Sequence, residues 1–181
     1  GTVRVDLDLA GHLIDEHQVF TYRPDAHTTE HSLEVQVPFL QYHMKQDFKI
    51  VPIVIATQSA KTIEKISEAL EPYFNEKNLF VISSDFSHYP PYDEAVEVDQ
   101  NTATAIASNS TESFLVALKE NEKQGIPNLS TSMCGWSSML MLLNLTESRD
   151  DIEIKPIEYK NSGDAIYGDR KSTRLNSSHY S

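Results

Sequence analysis

A carboxylate and an imidazole three residues apart, Asp85 and His88, follow directly on the apolar run Leu79-Phe80-Val81-Ile82. A carboxylate beside an imidazole orients the ring and raises its basicity, whether that ring moves a proton or binds a metal. Tyr89 and Tyr92 add phenols able to donate to an anionic intermediate. The same Asp-x-x-His spacing also serves to cap and tie down the following turn, so the pair alone leaves both roles open. The sole cysteine, Cys134, offers a second chemistry. With Thr131 as N-cap, Cys134 falls at the third position of a helix, where unpaired amides and the helix dipole lower a thiol pKa. A thiolate there is a soft metal ligand or a nucleophile. A buried cysteine in a Met/Leu-rich helix is the competing interpretation.

A third polar group is Glu30-His31 with Glu34. The three- and four-residue spacings put these side chains on one helical face, where hydrogen bonding within the motif competes with a catalytic role. The second histidine of the His-Glu-x-x-His zinc pattern is missing. His27 and His43 are plausible surface groups. No glycine-rich phosphate loop or Gly-x-Ser-x-Gly elbow occurs, and Asn161-Ser162-Gly163-Asp164 is turn-like unless tertiary structure brings it to a cleft. Serine catalysis from Ser84 or Ser87 beside His88 lacks a supporting oxyanion arrangement and ranks below metal chemistry.

The elements that must position these residues follow from periodicity. Thr28 to Leu40 has helical spacing at Leu33, Val37 and Leu40, with Thr28 or Thr29 as cap and Pro38 expected to kink or divide the helix. Ile50-Val51-Pro52-Ile53-Val54-Ile55 and Leu79 to Ile82 are predicted as buried strands, flanking a helix from Ser59 or Ala60 to about Phe74. Strand, helix, strand predicts a right-handed crossover and a parallel pair. The fold class expected is therefore α/β, a central mainly parallel or mixed sheet flanked by helices, with Asp85 and His88 at the C-terminal end of a strand, where such sheets bind ligands. Helices are predicted over Asp93 to Ser108, from Thr111 to Gly125, and through Cys134 to Leu143, followed by a strand around Pro156. One domain covers residues 1–170. The segment 171–181 has the character of translated adapter sequence and is expected to be a non-native tail.

Composition narrows the function classes. The 181 residues carry 27 acidic and 15 basic side chains, a formal net charge of −12, with no basic stripe between Val3 and Tyr167. A phosphate backbone would be repelled, so nucleic acid is not an expected partner. Neither a membrane span nor a secretory signal is evident, and one cysteine makes no internal disulfide. A cytoplasmic location without membrane partners is the expectation.

The segments Glu30 to Leu40, Ser83 to Tyr89, Cys134-Gly135 and Tyr159 to Asp164 occur in an order and separation that resembles the MEMO family, including AmmeMemoRadiSam system protein B. The resemblance runs from Gly1 to about Asp169 and corresponds to the latter three-fifths of a family member, so N-terminal truncation is expected. It implies a fold similar to class III extradiol dioxygenases. It also implies a pocket built from two upstream histidines, absent from this sequence, with a later histidine and a cysteine that match His88 and Cys134. On that basis Cys134 and His88 are the expected metal residues, His88 and Asp85 the expected catalytic ones, and Glu30, His31 and Tyr89 the expected pocket support. Iron is the metal implied, copper the alternative, with poor retention by this chain. The resemblance further implies a metal-dependent oxidoreductase or metal-handling role beside radical-SAM and AMMECR1-type proteins. A non-enzymatic adaptor that binds peptide in the same cleft is the other class.

Overall fold

The computed structural model describes residues 1–28, 30–165 and the backbone of Ser177–Tyr180. The chain divides into two compact units, Gly1–Ser83 and Ser84–Ser181.

In the first unit, β1 (Arg4–Val5) pairs in parallel with β2 (Lys49–Ile50), Arg4 opposite Lys49 and Val5 opposite Ile50. Helix α1 (Leu7–Glu16) starts at Asp6, whose carboxylate accepts the Leu9 N–H at 3.3 Å, the usual way an N-cap satisfies an orphan amide. After α2 (Pro24–Thr28), α3 (Val37–Met44) carries Pro38 in its first turn. Pro38 therefore opens a helix instead of kinking one, because the N–H it lacks has no acceptor at that position anyway. Thr28 ends α2 and caps nothing ahead of Leu33. Helix α4 (Ala60–Leu70) forms as its periodicity predicts. The Ser59 hydroxyl caps it, Ile63, Ile66, Ala69 and Leu70 are buried, and Pro72 converts the chain into a 3-10 turn over Glu71–Tyr73.

The expected α/β fold with a central sheet is overturned. Helices dominate, and the described strands form two separate two-stranded ladders. Of Ile50 to Ile55 only Ile50 joins a ladder, and Leu79 to Ile82 joins none. Both have β-rich composition, but a parallel strand forms only where neighbouring strands supply its partners. Leu79 and Val81, expected inside, are 65% and 40% exposed. The βαβ crossover falls with them, and so does the likeness to extradiol dioxygenases.

The second unit holds α5 (Tyr92–Ala107), α6 (Thr111–Lys123) and α7 (Trp136–Thr146), with α6 packed on both α5 and α7. Ser110, one residue before the predicted Thr111, caps α6 by accepting the Ser113 N–H at 3.2 Å. Gly125, at φ +65°, takes the left-handed position just past the end of α6, which L residues avoid. Val98, Ile106, Phe114 and Leu143 are wholly buried and form the core. Helix α7 buries Met139, Leu140, Met141, Leu143 and Leu145, in keeping with its apolar character on all sides. Strand β3 (Pro156–Lys160) pairs antiparallel with β4 (Ser177–Tyr180), with an irregularity between Pro156 and Glu158, where proline brings no N–H to the ladder. Apart from Ser177–Tyr180, the expected adapter-like tail 171–181 lies outside the described residues. Among the described residues no helix is long and apolar enough to cross a membrane.

Candidate functional site

Asp85 and His88 lie in an irregular segment ahead of α5, and Cys134 in another ahead of α7. Backbone hydrogen bonds place the two segments side by side in the second unit. The His88 N–H donates to the Thr131 carbonyl and the Ser130 N–H to the His88 carbonyl, each at 3.1 Å, an isolated antiparallel bridge. The Cys134 N–H donates to the Asp85 carbonyl at 3.0 Å, and the Gly135 N–H to the Ser84 hydroxyl at 2.8 Å. The local sequence makes this approach feasible. A Cβ on Gly135 would lie 2.7 Å from Ser84 Oγ, so only glycine permits the contact. The Thr131 hydroxyl accepts the Met133 N–H at 3.2 Å and turns the chain toward α7.

The imidazole is mostly shielded, its side chain 18% exposed, and Nε2 stands 3.5 Å from Asp85 Oδ2. Nε2 is buried and makes no hydrogen bond. An orphaned buried ring nitrogen costs free energy, so it marks a position where a ligand or proton donor would be stabilised. The Tyr89 ring meets the imidazole edge-on at 5.7 Å. Tyr89 itself is exposed and sits at φ +70°, a left-handed conformation that is strained for a bulky residue.

Cys134 is exposed. Its expected place at the third position of a helix is corrected: α7 begins at Trp136 with Gly135 as N-cap, so Cys134 precedes the helix. Thr131 binds Met133 and caps no helix at Cys134, so the thiol stands one residue ahead of the N-cap and not within the first turn.

Glu30 and His31 belong to the first unit and make local bonds there. The Glu30 carboxylate accepts the Ser32 N–H at 2.7 Å, and that amide holds Glu30 below the usual carboxylate range. His31 Nδ1 lies 2.7 Å from Glu34 Oε1, both side chains being exposed.

The expected metal-binding and iron assignment is corrected for the described residues. They contain no group of three or more His, Cys, Asp or Glu side chains able to hold a metal ion. His88 and Cys134 supply two donors, whereas borderline metals recruit three or four from the protein.

Residues 1–173 match the family model described as Memo-like protein. The chain belongs to the Memo family. A MEMO1 family protein of Methanosarcina acetivorans is 31% identical over 176 residues, covering 93% of this chain and 60% of that protein. One from Sulfurisphaera tokodaii is 32% identical over 178 residues, covering 95% and 58%. A Saccharolobus islandicus relative reaches 37% identity over a shorter 110 residues, covering 59% and 39%. The chain thus spans about three-fifths of the length of the first two Memo relatives.

Tertiary structure also gives the Memo-like segment Tyr159 to Asp164 a place beside the site. The Tyr159 hydroxyl donates to Asp99 Oδ2 at 2.8 Å, and Asp99 Oδ1 accepts the Ser87 N–H at 2.9 Å. Asn161 donates to the Tyr159 oxygen at 3.1 Å and, through its side-chain oxygen, caps a 3-10 turn over Ser162–Asp164. Asp164 accepts the Asn161 N–H at 2.9 Å and the Tyr92 hydroxyl at 2.7 Å. Sequence periodicity alone did not single out Asp99. Its signal is a carboxylate at a buried helical position among Ala95, Val98, Thr102, Ala105 and Ile106.

Proposed function

We propose that this chain carries the histidine and thiol portion of an oxidoreductase-type centre. In it His88 holds and moves a proton, Asp85 orients the imidazole, and the Cys134 sulfur engages the reacting group. The observation that carries the proposal is the lacing of the Asp85 to His88 segment against the Thr131 to Gly135 segment, beside a buried ring nitrogen that makes no hydrogen bond. An imidazole close to a thiol stabilises the thiolate, which is the reactive form. The setting that accompanies this proposal is a pathway with radical-SAM and AMMECR1-type proteins, as the resemblance to AmmeMemoRadiSam system protein B implies.

The test is the rate of Cys134 alkylation by iodoacetamide near neutral pH in the unaltered chain, in His88→Gln and in Asp85→Asn. As the only cysteine, Cys134 reports without interference. His88→Gln is expected to slow the reaction at least about fivefold through loss of thiolate, with thermal stability held, and Asp85→Asn to slow it less. Alkylation indifferent to His88 would remove the coupled chemistry. Peptide binding that persists in His88→Gln and Cys134→Ala would then favour the adaptor.

A further inference from the structure

We infer that Asp99 is a positioning residue for His88, acting through the Ser87 amide and locked in place by Tyr159. Asp99 has no exposed surface, and its two oxygens accept from different segments: Oδ1 from the Ser87 N–H at 2.9 Å and Oδ2 from the Tyr159 hydroxyl at 2.8 Å. A carboxylate withdrawn from water is stable only when charge-assisted hydrogen bonds replace its hydration, and these are among the stronger bonds a protein makes.

The two bonds have different consequences. Ser87 is wholly buried and immediately precedes His88. Fixing its amide fixes the peptide plane from which His88 departs, and on the next residue the His88 N–H and C=O are both held by the segment that leads to Cys134. The Asp85 to His88 segment is thus gripped from two sides, by α5 and by the segment at Thr131. Tyr159 extends the grip to β3, and its hydroxyl both donates to Asp99 and accepts from Asn161. The Memo-like segment Tyr159 to Asp164 therefore gains a role through Asp99. It holds the carboxylate that holds the loop. The functional consequence rests on the role of His88 proposed above, while the placement of the loop does not.

The experiment uses the 181-residue chain, isotopically labelled, as Asp99→Asn, Tyr159→Phe and, for comparison, Asn121→Ala. Asn121 is equally buried between α5 and α6 but bonds Val98 and Thr102, away from Ser87. Hydrogen exchange of the Ser87 amide and the imidazole resonances of His88 are read in each. Asp99→Asn is expected to speed Ser87 exchange about tenfold and to displace the His88 resonances. Tyr159→Phe should do the same to a smaller extent, and Asn121→Ala should lower thermal stability without moving the His88 signals. Unmoved His88 resonances in Asp99→Asn and Tyr159→Phe would overturn the inference, as would an equal displacement in Asn121→Ala. If Asp99→Asn does not fold, Tyr159→Phe decides. Should alkylation of Cys134 prove indifferent to His88, the proposed chemistry fails while these resonances still decide the role of Asp99.

Discussion

Gly163→Ala is expected to destabilise the second unit by about 1–3 kcal/mol, an overpacking cost with a single steric cause. A Cβ built at Gly163 lies 2.5 Å from Tyr92 Cδ2, 3.1 Å from Tyr92 Cε2 and 3.0 Å from Asn161 Oδ1. Carbon atoms rest about 3.5–4.0 Å apart, so the ring must retreat by roughly 1 Å. It is held at its far end by the 2.7 Å bond from the Tyr92 hydroxyl to Asp164, whose other oxygen closes the turn on the Asn161 N–H. Retreat therefore sacrifices a hydrogen bond worth about 1 kcal/mol, or transfers the strain to the turn. The backbone at Gly163 has no positive φ, so alanine also brings an opposing gain of about 0.4–1 kcal/mol from a less flexible unfolded chain. Urea unfolding followed by the fluorescence of the single tryptophan, Trp136, measures the balance in this unit. In a Tyr92→Ala background the obstacle is gone, so the same substitution should become neutral or stabilising. An equal loss of stability in both backgrounds would refute the steric reasoning.

Three further perturbations address the same unit. Phe114→Ala, at a wholly buried position, should cost about 3–5 kcal/mol, read as the fall in urea midpoint at constant slope. Ser110→Ala removes the acceptor for the Ser113 N–H and should cost about 1 kcal/mol, with Ser110→Gly costing less in thermal unfolding. Burial raises the Tyr159 phenol above its ordinary value of 10.0, with the Asp99 carboxylate adding to the effect and the Asn161 amide opposing it. The folded chain thus keeps a proton that the unfolded chain releases. Stability is complete below about pH 10 and falls as pH rises beyond it, and Tyr159→Phe should flatten that slope in alkaline urea titrations.

What could be read in the sequence divides by the range of the interactions involved. Helices α4, α5 and α6 were legible because an apolar stripe of 3.6-residue period acts within a few residues, helped at α4 by Ser59 and at the end of α6 by Gly125. The strands were not, because β pairing is decided by distant partners. Ile53 to Ile55 and Leu79 to Ile82 have strand composition and no ladder. Pro38 differs from expectation for a similar reason: its effect depends on whether a helix precedes it, and α3 starts only at Val37. Within the site, Asp85 and His88 were legible as a polar pair after an apolar run. Their meeting with the Cys134 segment depends on Gly135 allowing Ser84 close approach, and the support from Asp99 on bonds to Ser87 and Tyr159, 12 and 60 residues away.

The start of α7 at Trp136 changes what can activate the thiol. A helix N-terminus lowers a cysteine pKa by aiming unpaired amides at the sulfur, and that influence fades within about one turn. Cys134 lies one residue ahead of the N-cap, within that range, and two adjacent amides are engaged: its own N–H by the Asp85 carbonyl, and that of Gly135 by the Ser84 hydroxyl. Those bonds bring the Cys134 backbone against the Asp85 to His88 segment and at the same time occupy two amide donors next to the thiol. The helix end and the imidazole are then separate sources of any enhanced nucleophilicity of Cys134, and His88→Gln removes only the second. Its dependence on His88 is consequently a direct measure of whether the two residues form one reactive centre.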